Sequence, residues 1–496
     1  MNKQERINKY LLWQKLCKAY NLSSSIVSFD KSTIAPALGR SYTNEMMSIL
    51  SGEYYKVYTD NTQIDNINEL LKYDDLDKDL KIELELVKIS FDNTSCIPQD
   101  EYMSYSKIID DTMDIWEKAK QTNDFNLFKP YFSEAVKLSN KIIRYRNKDT
   151  FNEYLNDYER GMNKEKYDNF FDQIEKELVP YIKQVTSKNL NLDYSLLNCK
   201  VDIQTQKEIT EHMCKYLGFD ESWAYFSESV HPFTNPISKN DIRLTTKYEE
   251  NNFLSNIFSV IHELGHGLFE HQIDDKYNGR MIGSQITSGL HESQSRLLEN
   301  YIGRSKAFWE YNYKFIQEKI DVFKNVSLDD FYKLINRVQC SKIRIEADEL
   351  TYPIHILIRY RIEEKLINNE ITVDELPTVW NKYMKDYLGV TIENDAEGVL
   401  QDVHWSQGAL GYFPTYALGS ACAAQIFNAL NKELDVDNLL RNNQFNIINE
   451  WLKENIHQYS GLYNVDQMLL NITNEKFDTK YYIEYLKNKF NNIYQL

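Results

Sequence analysis

Glycine and proline are scarce in this chain, and their scarcity limits the folds that it can adopt. The sequence holds 16 glycines and 9 prolines among 496 residues. Together they make up about 5% of the chain, where average usage is roughly 12%. Sheet-rich folds need many tight turns, which these two residues form, whereas helices need few turns per residue. The composition therefore predicts a mainly α-helical protein.

Local patterns add detail to this prediction. Near the end of the chain, apolar residues recur at offsets of four, four and three, as on one face of a helix: Tyr482, Leu486, Phe490 and Ile493. The segment 82–86 alternates like a strand, and its periodicity leaves helix and strand open. A clearer strand candidate is 241–248, which alternates apolar with polar residues and is rich in β-branched ones. We expect a small antiparallel sheet here, just before the helix that carries the motif described below.

Charge and hydropathy exclude several classes of partner. The net charge of −17 argues against a nucleic-acid partner, because a negatively charged surface does not neutralise the phosphates of a nucleic acid. The mean hydropathy is −0.57, and no run of 18 apolar residues predicts a membrane span. The N-terminus lacks the apolar core of a signal peptide. The six cysteines have no metal-like spacing and predict reduced thiols, so we expect a cytoplasmic protein. Without linkers or repeats, residues 1–496 are predicted to form one domain.

The strongest chemical signal is the segment His262-Glu263-Leu264-Gly265-His266. In a helix, His262 and His266 lie one turn apart on the same face, so both imidazoles can reach one tetrahedral ion. Glu263 stands beside the first ligand, where it can act as a general base toward water. The alternative is a solvated helix face with two surface histidines. Gly265 and Gly267 argue against it, because each costs about 1 kcal/mol in a helix and suggests a close neighbour.

A catalytic ion of this type needs a third protein ligand. Glu292 lies 26 residues beyond His266 at the start of another helical stretch, and it completes a set of two histidines and a glutamate. Glu299 lies one heptad further on the same face, and we expect it to be an exposed helix charge. The motif thus predicts a metallopeptidase with one divalent ion per chain.

Six separated motifs resemble those of the carboxypeptidase Taq family of metallocarboxypeptidases. They are, in chain order, 231–233 (His-Pro-Phe), 241–245 (Asp-Ile-Arg-Leu-Thr), 262–266, 291–294 (His-Glu-Ser-Gln), 343–348 (Ile-Arg-Ile-Glu-Ala-Asp) and 398–405 (Gly-Val-Leu-Gln-Asp-Val-His-Trp). The segment 411–419 also fits. The catalytic motifs span residues 231–420, and a looser match covers nearly the whole chain. Near the start, Phe29 stands where the family usually has tryptophan.

The resemblance implies a fold, an activity and partners. The fold is a large helical peptidase with a deep substrate groove, related to angiotensin-converting enzyme and neurolysin, with helices of about residues 1–100 covering the groove. The activity is removal of C-terminal residues from peptides with a free C-terminus, with broad specificity. The ion is zinc, with cobalt also supporting activity, and the protein is a cytoplasmic homodimer.

The remaining motifs supply candidate substrate contacts. A bidentate arginine suits the terminal carboxylate of a peptide, and Arg344 and Arg243 are the candidates. Each has an alternative as a structural ion pair, Arg344 with Asp348 and Arg243 with Asp241. His231 is a candidate contact to the substrate backbone, or else caps its loop.

An oxyanion needs donors besides the ion. By analogy with angiotensin-converting enzyme, His404 and Tyr416 are expected to provide them, and Tyr412 competes with Tyr416 for the role. Gln401 and Asp402 are expected to orient His404 or the metal ligands.

Two other functions stay open on the sequence alone. One is an endo-acting oligopeptidase on the same fold, which only its products distinguish from a carboxypeptidase. The other is an inactive helical peptide-binding scaffold, against which the intact set of candidate ligands and base argues.

Overall fold

Helices dominate the structure, as the scarcity of glycine and proline predicts. The computed structural model describes residues 1–146 and 150–496. Its α-helices are α1 (Lys3–Thr33), α2 (Arg40–Tyr58), α3 (Asn61–Leu70), α4 (Lys78–Ser95), α5 (Gln99–Thr122), α6 (Phe125–Tyr145), α7 (Thr150–Tyr158), α8 (Lys164–Thr186), α9 (Ile203–Tyr216), α10 (Phe253–His271), α11 (Ser288–Arg296), α12 (Lys306–Lys319), α13 (Leu328–Ile335), α14 (Tyr352–Ile367), α15 (Leu376–Tyr383), α16 (Pro414–Glu433), α17 (Val436–Arg441), α18 (Phe445–Asn455), α19 (Val465–Thr473) and α20 (Lys480–Tyr494).

Two sequence patterns are settled by these helices. The apolar stripe near the end of the chain is the buried face of α20, as predicted. The ambiguous segment 82–86 lies inside α4, where the buried apolar residues are spaced by four, three and four: Leu80, Leu84, Val87 and Phe91. This helical spacing over twelve residues outweighs the strand-like alternation of only five.

A small mixed sheet lies beside α10. Its strands are β1 (Ala224–Glu228), β2 (Thr234–Ser238) and β3 (Asp241–Thr246), in the order β1-β3-β2. β3 pairs with β2 antiparallel and with β1 parallel, so the prediction of a purely antiparallel sheet is wrong. Alternation along one strand reveals which side chains share a face, but it holds no information on the direction of neighbouring strands.

The main apolar core spans most of the chain, and a smaller cluster joins α1, α3 and α4. The far end of α1 reaches the sheet, because Asn235 of β2 donates its side-chain amide to the Ser25 carbonyl at 3.1 Å. The rings of Phe29 and Phe233 also meet there at 5.9 Å. The N-terminal helices therefore contact the part of the chain next to the predicted metal motif. Among the described residues, none of the helices combines the length and apolar character needed to cross a membrane.

Candidate active site

Two histidines on α10 point to a common space. His262 and His266 are four residues apart in this helix, and their ring centroids are 5.0 Å apart. α11 brings Glu292 to them, with its Oε2 at 3.5 Å from His266 Nε2 and 3.9 Å from His262 Nε2. All three ligand atoms lie within 4.8 Å of one another. The structure thus brings together the three residues that the sequence proposes as metal ligands.

The donor set fits a single divalent ion. Ligand atoms at about 2.0–2.1 Å from a tetrahedral ion lie roughly 3.4 Å from each other, close to the separations between Glu292 and the two histidines. Two imidazoles and one carboxylate are also a common ligand set of catalytic zinc sites, which leave one position open.

Glycines allow the helices that carry these ligands to pack closely. A Cβ at Gly265 of α10 would lie 2.5 Å from the Ser295 Cα of α11, and one at Gly419 of α16 would lie 2.6 Å from the Glu292 Cγ. Gly267, by contrast, faces the side chain of Leu244 on β3. Gly265 in the motif and Gly267 just after it therefore each have a close neighbour, as the sequence suggested, and Gly265 faces the helix that carries Glu292.

Glu299 has a different position from the one expected. Its side chain is only 13% exposed, and its Oε2 lies 2.9 Å from His262 Nδ1. Burial raises its pKa, but Arg296 and His262 outweigh burial and lower it to about 2. An ionised carboxylate only accepts, so the His262 Nδ1–H donates and Nε2 is left for an ion. The prediction of an exposed charge is wrong, because the π-helical turn Leu297–Gly303 continues α11 and keeps Glu299 on its inner face.

Arg296 binds the other carboxylate oxygen of Glu292, the third candidate ligand. Its Nε donates to Glu292 Oε1 at 2.7 Å, and its Nη1 donates to Glu299 Oε2 at 3.2 Å. Burial raises the pKa of Glu292, but Arg296 and His262 outweigh burial and bring it below its usual range. Glu292 therefore presents an ionised Oε2 toward the histidines, while its other oxygen is fixed. No sequence signal singles out Arg296, which stands four residues after Glu292 on the same helix.

Glu263 lies beside the ligands and is buried. The Thr234 hydroxyl of β2 donates to its Oε2 at 2.6 Å. Burial raises the pKa of Glu263, whereas His262 and the Thr234 hydroxyl act against this rise. A carboxyl with a raised pKa takes up and gives back protons more readily near neutral pH than an exposed one. Thr234 was not predicted, although it follows directly on the 231–233 motif.

His404 and two tyrosines form a second group. His404 Nε2 lies 3.1 Å from the Tyr416 hydroxyl, and the Tyr412 and Tyr416 rings meet at 5.2 Å. Burial and the charge of Arg344 lower the pKa of His404 to about 3, so it is neutral above that pH. Burial raises the pKa of both tyrosines, and the charge of Glu292 adds to this rise. The predicted oxyanion donors are thus neighbours of the metal-ligand set.

Arg344 is buried in a charged cluster. Its Nε donates to Asp402 Oδ1 at 2.9 Å, and its Nη1 donates to the Tyr352 hydroxyl at 3.1 Å. Asp348, the alternative partner, instead accepts from the backbone N–H of Leu350 and Thr351.

Asp402 and Gln401 have partners other than those expected. Asp402 also accepts from Arg359 Nε at 2.7 Å, and Gln401 Oε1 accepts from the Arg344 backbone N–H at 2.8 Å. Their hydrogen bonds therefore hold the two arginines, rather than His404 or the metal ligands.

The other two predicted substrate contacts lie on the sheet side. Arg243 of β3 binds both oxygens of Asp241, at 3.1 Å each, and its guanidinium lies 5.5 Å from the centre of the Phe29 ring. His231 is exposed on the loop between β1 and β2. Arg243 thus makes the ion pair named as its alternative, next to the end of α1.

Two more histidines belong to the surroundings of the ligands. The His291 ring stacks on His266 at 4.3 Å, and its Nε2 lies 3.1 Å from Glu270. His457 lies between Gln272 of α10's C-terminal end and Gln294 of α11, at 2.6 and 2.9 Å. The sequence offers no reason to assign His457 a role, because it is far from the motif along the chain and only the fold brings the two together.

Two histidines one turn apart, a glutamate from a second helix and a buried carboxylate beside them define a metallopeptidase site. A sequence model of the Carboxypeptidase Taq (M32) metallopeptidase family matches residues 12–490. The chain belongs to this family and is a metallocarboxypeptidase, a hydrolase of peptides.

Relatives agree with this assignment. Carboxypeptidase 1 of Bacillus subtilis is 37% identical over 482 residues, which cover 96% of each chain. Thermostable carboxypeptidase 1 of Pyrococcus furiosus is 33% identical over 76% of each chain. The crystal structure of the M32 carboxypeptidase from Deinococcus radiodurans R1 matches with a TM-score of 0.95 at 25% identity and covers 99% of this chain and 100% of its own. The mainly helical fold with a small mixed sheet is therefore shared with solved M32 carboxypeptidases.

Proposed function

We propose that this chain removes C-terminal residues from peptides with one zinc ion, for which cobalt can substitute, held by His262, His266 and Glu292. The observation that carries the proposal is the convergence of these three donors from α10 and α11. When bound, such an ion lowers the pKa of a coordinated water and polarises a carbonyl.

Glu263 is the general base in this proposal. Its buried carboxylate takes a proton from the attacking water and returns it to the leaving amine, as its raised pKa favours. The Thr234 hydroxyl donates to Oε2 and so holds the carboxylate in one orientation. Oε1 is then the oxygen that is directed to the water.

Tyr416 and His404 are the proposed donors to the oxyanion. The lowered pKa of His404 keeps its ring neutral near neutral pH. Depending on the tautomer, its Nε2 can accept from the Tyr416 hydroxyl or donate to the substrate. Tyr412 remains the alternative to Tyr416 in this role, since the two tyrosine rings are in contact.

Arg344 is the first proposed receptor for the terminal carboxylate, with Arg243 as the second. A guanidinium has five N–H groups, and Asp402 and Tyr352 engage three of those of Arg344. The other two N–H groups can therefore bind the substrate carboxylate, and the ion pair with Asp402 fixes the orientation of the guanidinium. The centre of the Tyr416 ring lies 5.2 Å from this guanidinium. His231 is proposed to contact the substrate backbone from its exposed loop.

We extend the proposal to the whole molecule on the family resemblance. Residues 1–496 form one catalytic domain related in fold to angiotensin-converting enzyme and neurolysin, and the helices of about residues 1–100 cover a deep substrate groove. Peptides with a free C-terminus are the substrates, and specificity is broad. The protein is a cytoplasmic homodimer.

Paired peptides test the activity directly. One peptide has a free C-terminus and the other is amidated there, and both are followed by mass spectrometry with and without a chelator. We expect stepwise C-terminal loss from the free peptide alone, abolished by chelator and restored by zinc or cobalt. Internal cuts in both peptides would indicate an endopeptidase, and no cleavage with either ion would indicate a peptide-binding scaffold.

A further inference from the structure

Glu159 is a buried carboxyl that has no role in the proposed peptide hydrolysis. It follows α7 directly, and its side chain is fully buried. Its Oε2 accepts from the backbone N–H of Gly289, 130 residues further along the chain, at 2.6 Å. Gly289 is the second residue of α11, the helix that carries Glu292.

The start of α11 lacks a cap from its own sequence. Thr287 occupies the N-cap position, but its side chain makes no capping hydrogen bond. The first backbone N–H groups of a helix have no partner within the helix, and together they carry a partial positive charge. Glu159 therefore supplies, from a distant part of the chain, the acceptor that an N-cap side chain normally supplies.

The neighbouring residues point to the same role. Arg160 donates to the carbonyls of Gln285 and Gly461, at 3.4 and 3.0 Å, and so holds the segment that leads into α11. A Cβ on Gly289 would lie 2.7 Å from Glu159 Oε2. The glycine thus makes the close approach of the carboxyl to the helix end possible.

The buried acid has a cost in stability. Burial raises the pKa of Glu159 to about 7, although the Thr287 hydroxyl and the Gly289 N–H act against this rise. Taking a carboxyl out of water is unfavourable unless hydrogen bonds replace those to water. An apolar side chain at this place would avoid the cost, but it would leave the end of α11 without an acceptor.

We propose that Glu159 is a positioning residue that caps α11 and thereby sets where Glu292 lies along the helix axis relative to His262 and His266. The inference rests on the proposed metal site. α10 and α16 approach α11 closely from the sides at Gly265 and Gly419, whereas Glu159 binds its end. Glu292 follows Gly289 by one turn, so a displacement of the helix start is transmitted to the ligand.

Metal affinity of purified variants tests the inference. The variants are Glu159→Ala, which removes the acceptor, and Glu159→Gln, whose amide oxygen keeps it. Glu363→Ala is the matched control, because Glu363 of α14 is equally buried and accepts instead from Trp405 and Gly411, at 2.8 and 3.1 Å. Zinc dissociation constants are measured by competition with a chromophoric chelator, and the visible spectrum of the cobalt-loaded protein reports the geometry of the ligands. Thermal unfolding is recorded in parallel.

We expect Glu159→Ala to weaken zinc binding about 10- to 100-fold, the range that follows from removing a group that orients a metal ligand. Glu159→Gln should stay within about 3-fold of wild type, because it keeps the capping acceptor. Glu363→Ala should lower the unfolding temperature while its zinc affinity and cobalt spectrum stay unchanged.

Wild-type zinc affinity and cobalt spectrum in Glu159→Ala would overturn the inference, and so would equal losses in the alanine and glutamine variants. If Glu159→Ala does not fold, Gly289→Ala decides, since its methyl group displaces the carboxyl without removing it. Weaker zinc binding in that variant supports the inference, and unchanged binding overturns it. A wild-type protein that binds no zinc would instead contradict the proposed function itself.

Discussion

The contact between α10 and α11 at Gly265 leads to a quantitative prediction. A Cβ in Gly265→Ala would lie 2.5 Å from the Ser295 Cα and 2.6 Å from the Gln294 carbonyl oxygen. Both are backbone atoms, so no rotamer change relieves the clash. Ordinary contact begins near 3.4 Å, and the helices must therefore separate by about 0.9 Å, the difference between the two distances.

This separation changes the metal site more than it changes the fold. It would widen the 3.5 Å between His266 Nε2 and Glu292 Oε2 by far more than the roughly 0.2 Å tolerance of metal–ligand distances. We expect zinc affinity to fall at least about 10-fold. Overpacking lowers the free energy of unfolding by about 1–3 kcal/mol. Alanine in place of a helical glycine raises it by about 1 kcal/mol. The metal-free variant should therefore lose no more than about 2 kcal/mol of unfolding free energy.

Gly267→Ala is the matched control two residues away on the same helix. Its Cβ would meet Leu244 Cδ2 at 3.2 Å, the end of a side chain that can turn away. We expect unchanged zinc affinity and up to about 1 kcal/mol of added stability. The assays are chelator competition for zinc and urea unfolding of the metal-free proteins. If Gly265→Ala binds zinc as tightly as Gly267→Ala, the reasoning from helix separation is refuted.

Three further predictions concern the base, a carboxylate behind the ligands and a buried histidine. Glu263→Gln should lose about 10²- to 10⁴-fold in turnover while its zinc content stays at the wild-type level, and turnover at the wild-type rate would exclude Glu263 as the base. Glu299→Ala removes the acceptor of His262 Nδ1 and should weaken zinc binding about 10- to 100-fold, whereas affinity equal to wild type in the chelator assay would contradict this role. Burial lowers the pKa of His457 to about 3, whereas its pKa in the unfolded chain is roughly 6.5. Between these two pH values the unfolded state binds one proton more than the folded state. The free energy of unfolding therefore falls as the pH drops through this window. His457→Gln should therefore flatten the dependence of unfolding free energy on pH by about 1.4 kcal/mol per pH unit, measured by urea unfolding from pH 4.5 to 6.5, and an unchanged slope would count against it.

Some features of the active site could be predicted from the sequence because their geometry is local. The spacing of His262 and His266 places both rings on one face of any α-helix, and Glu263 is then next to the first of them. The apolar stripe of α20 is local in the same way. The third candidate ligand, Glu292, followed from the known donor sets of catalytic ions and from the family resemblance, since no local rule brings α11 to α10.

Two other interpretations of the sequence, the alternative pairing of Arg344 and the exposure of Glu299, failed for different reasons. The pairing of Arg344 with Asp348 assumes a helix, but residues 344–346 form a 3₁₀ turn and Ala347 is extended. Arg344 instead meets Asp402, 58 residues further along. Glu299 is on the predicted helix face, but whether this face meets solvent or protein depends on its neighbours.

The sequence by itself determined the helical class, the two-histidine motif with Glu263 beside its first histidine and, through six ordered motifs, the family. These features depend on spacing within one element or on matching residues in order. Only the tertiary structure decided the direction of β1, the contact of Thr234 with Glu263, the burial of Glu299 and the hydrogen bond of Glu159 to the start of α11. Each of these depends on which distant segments pack together, and packing is a property of the whole core, whereas periodicity describes only one element at a time.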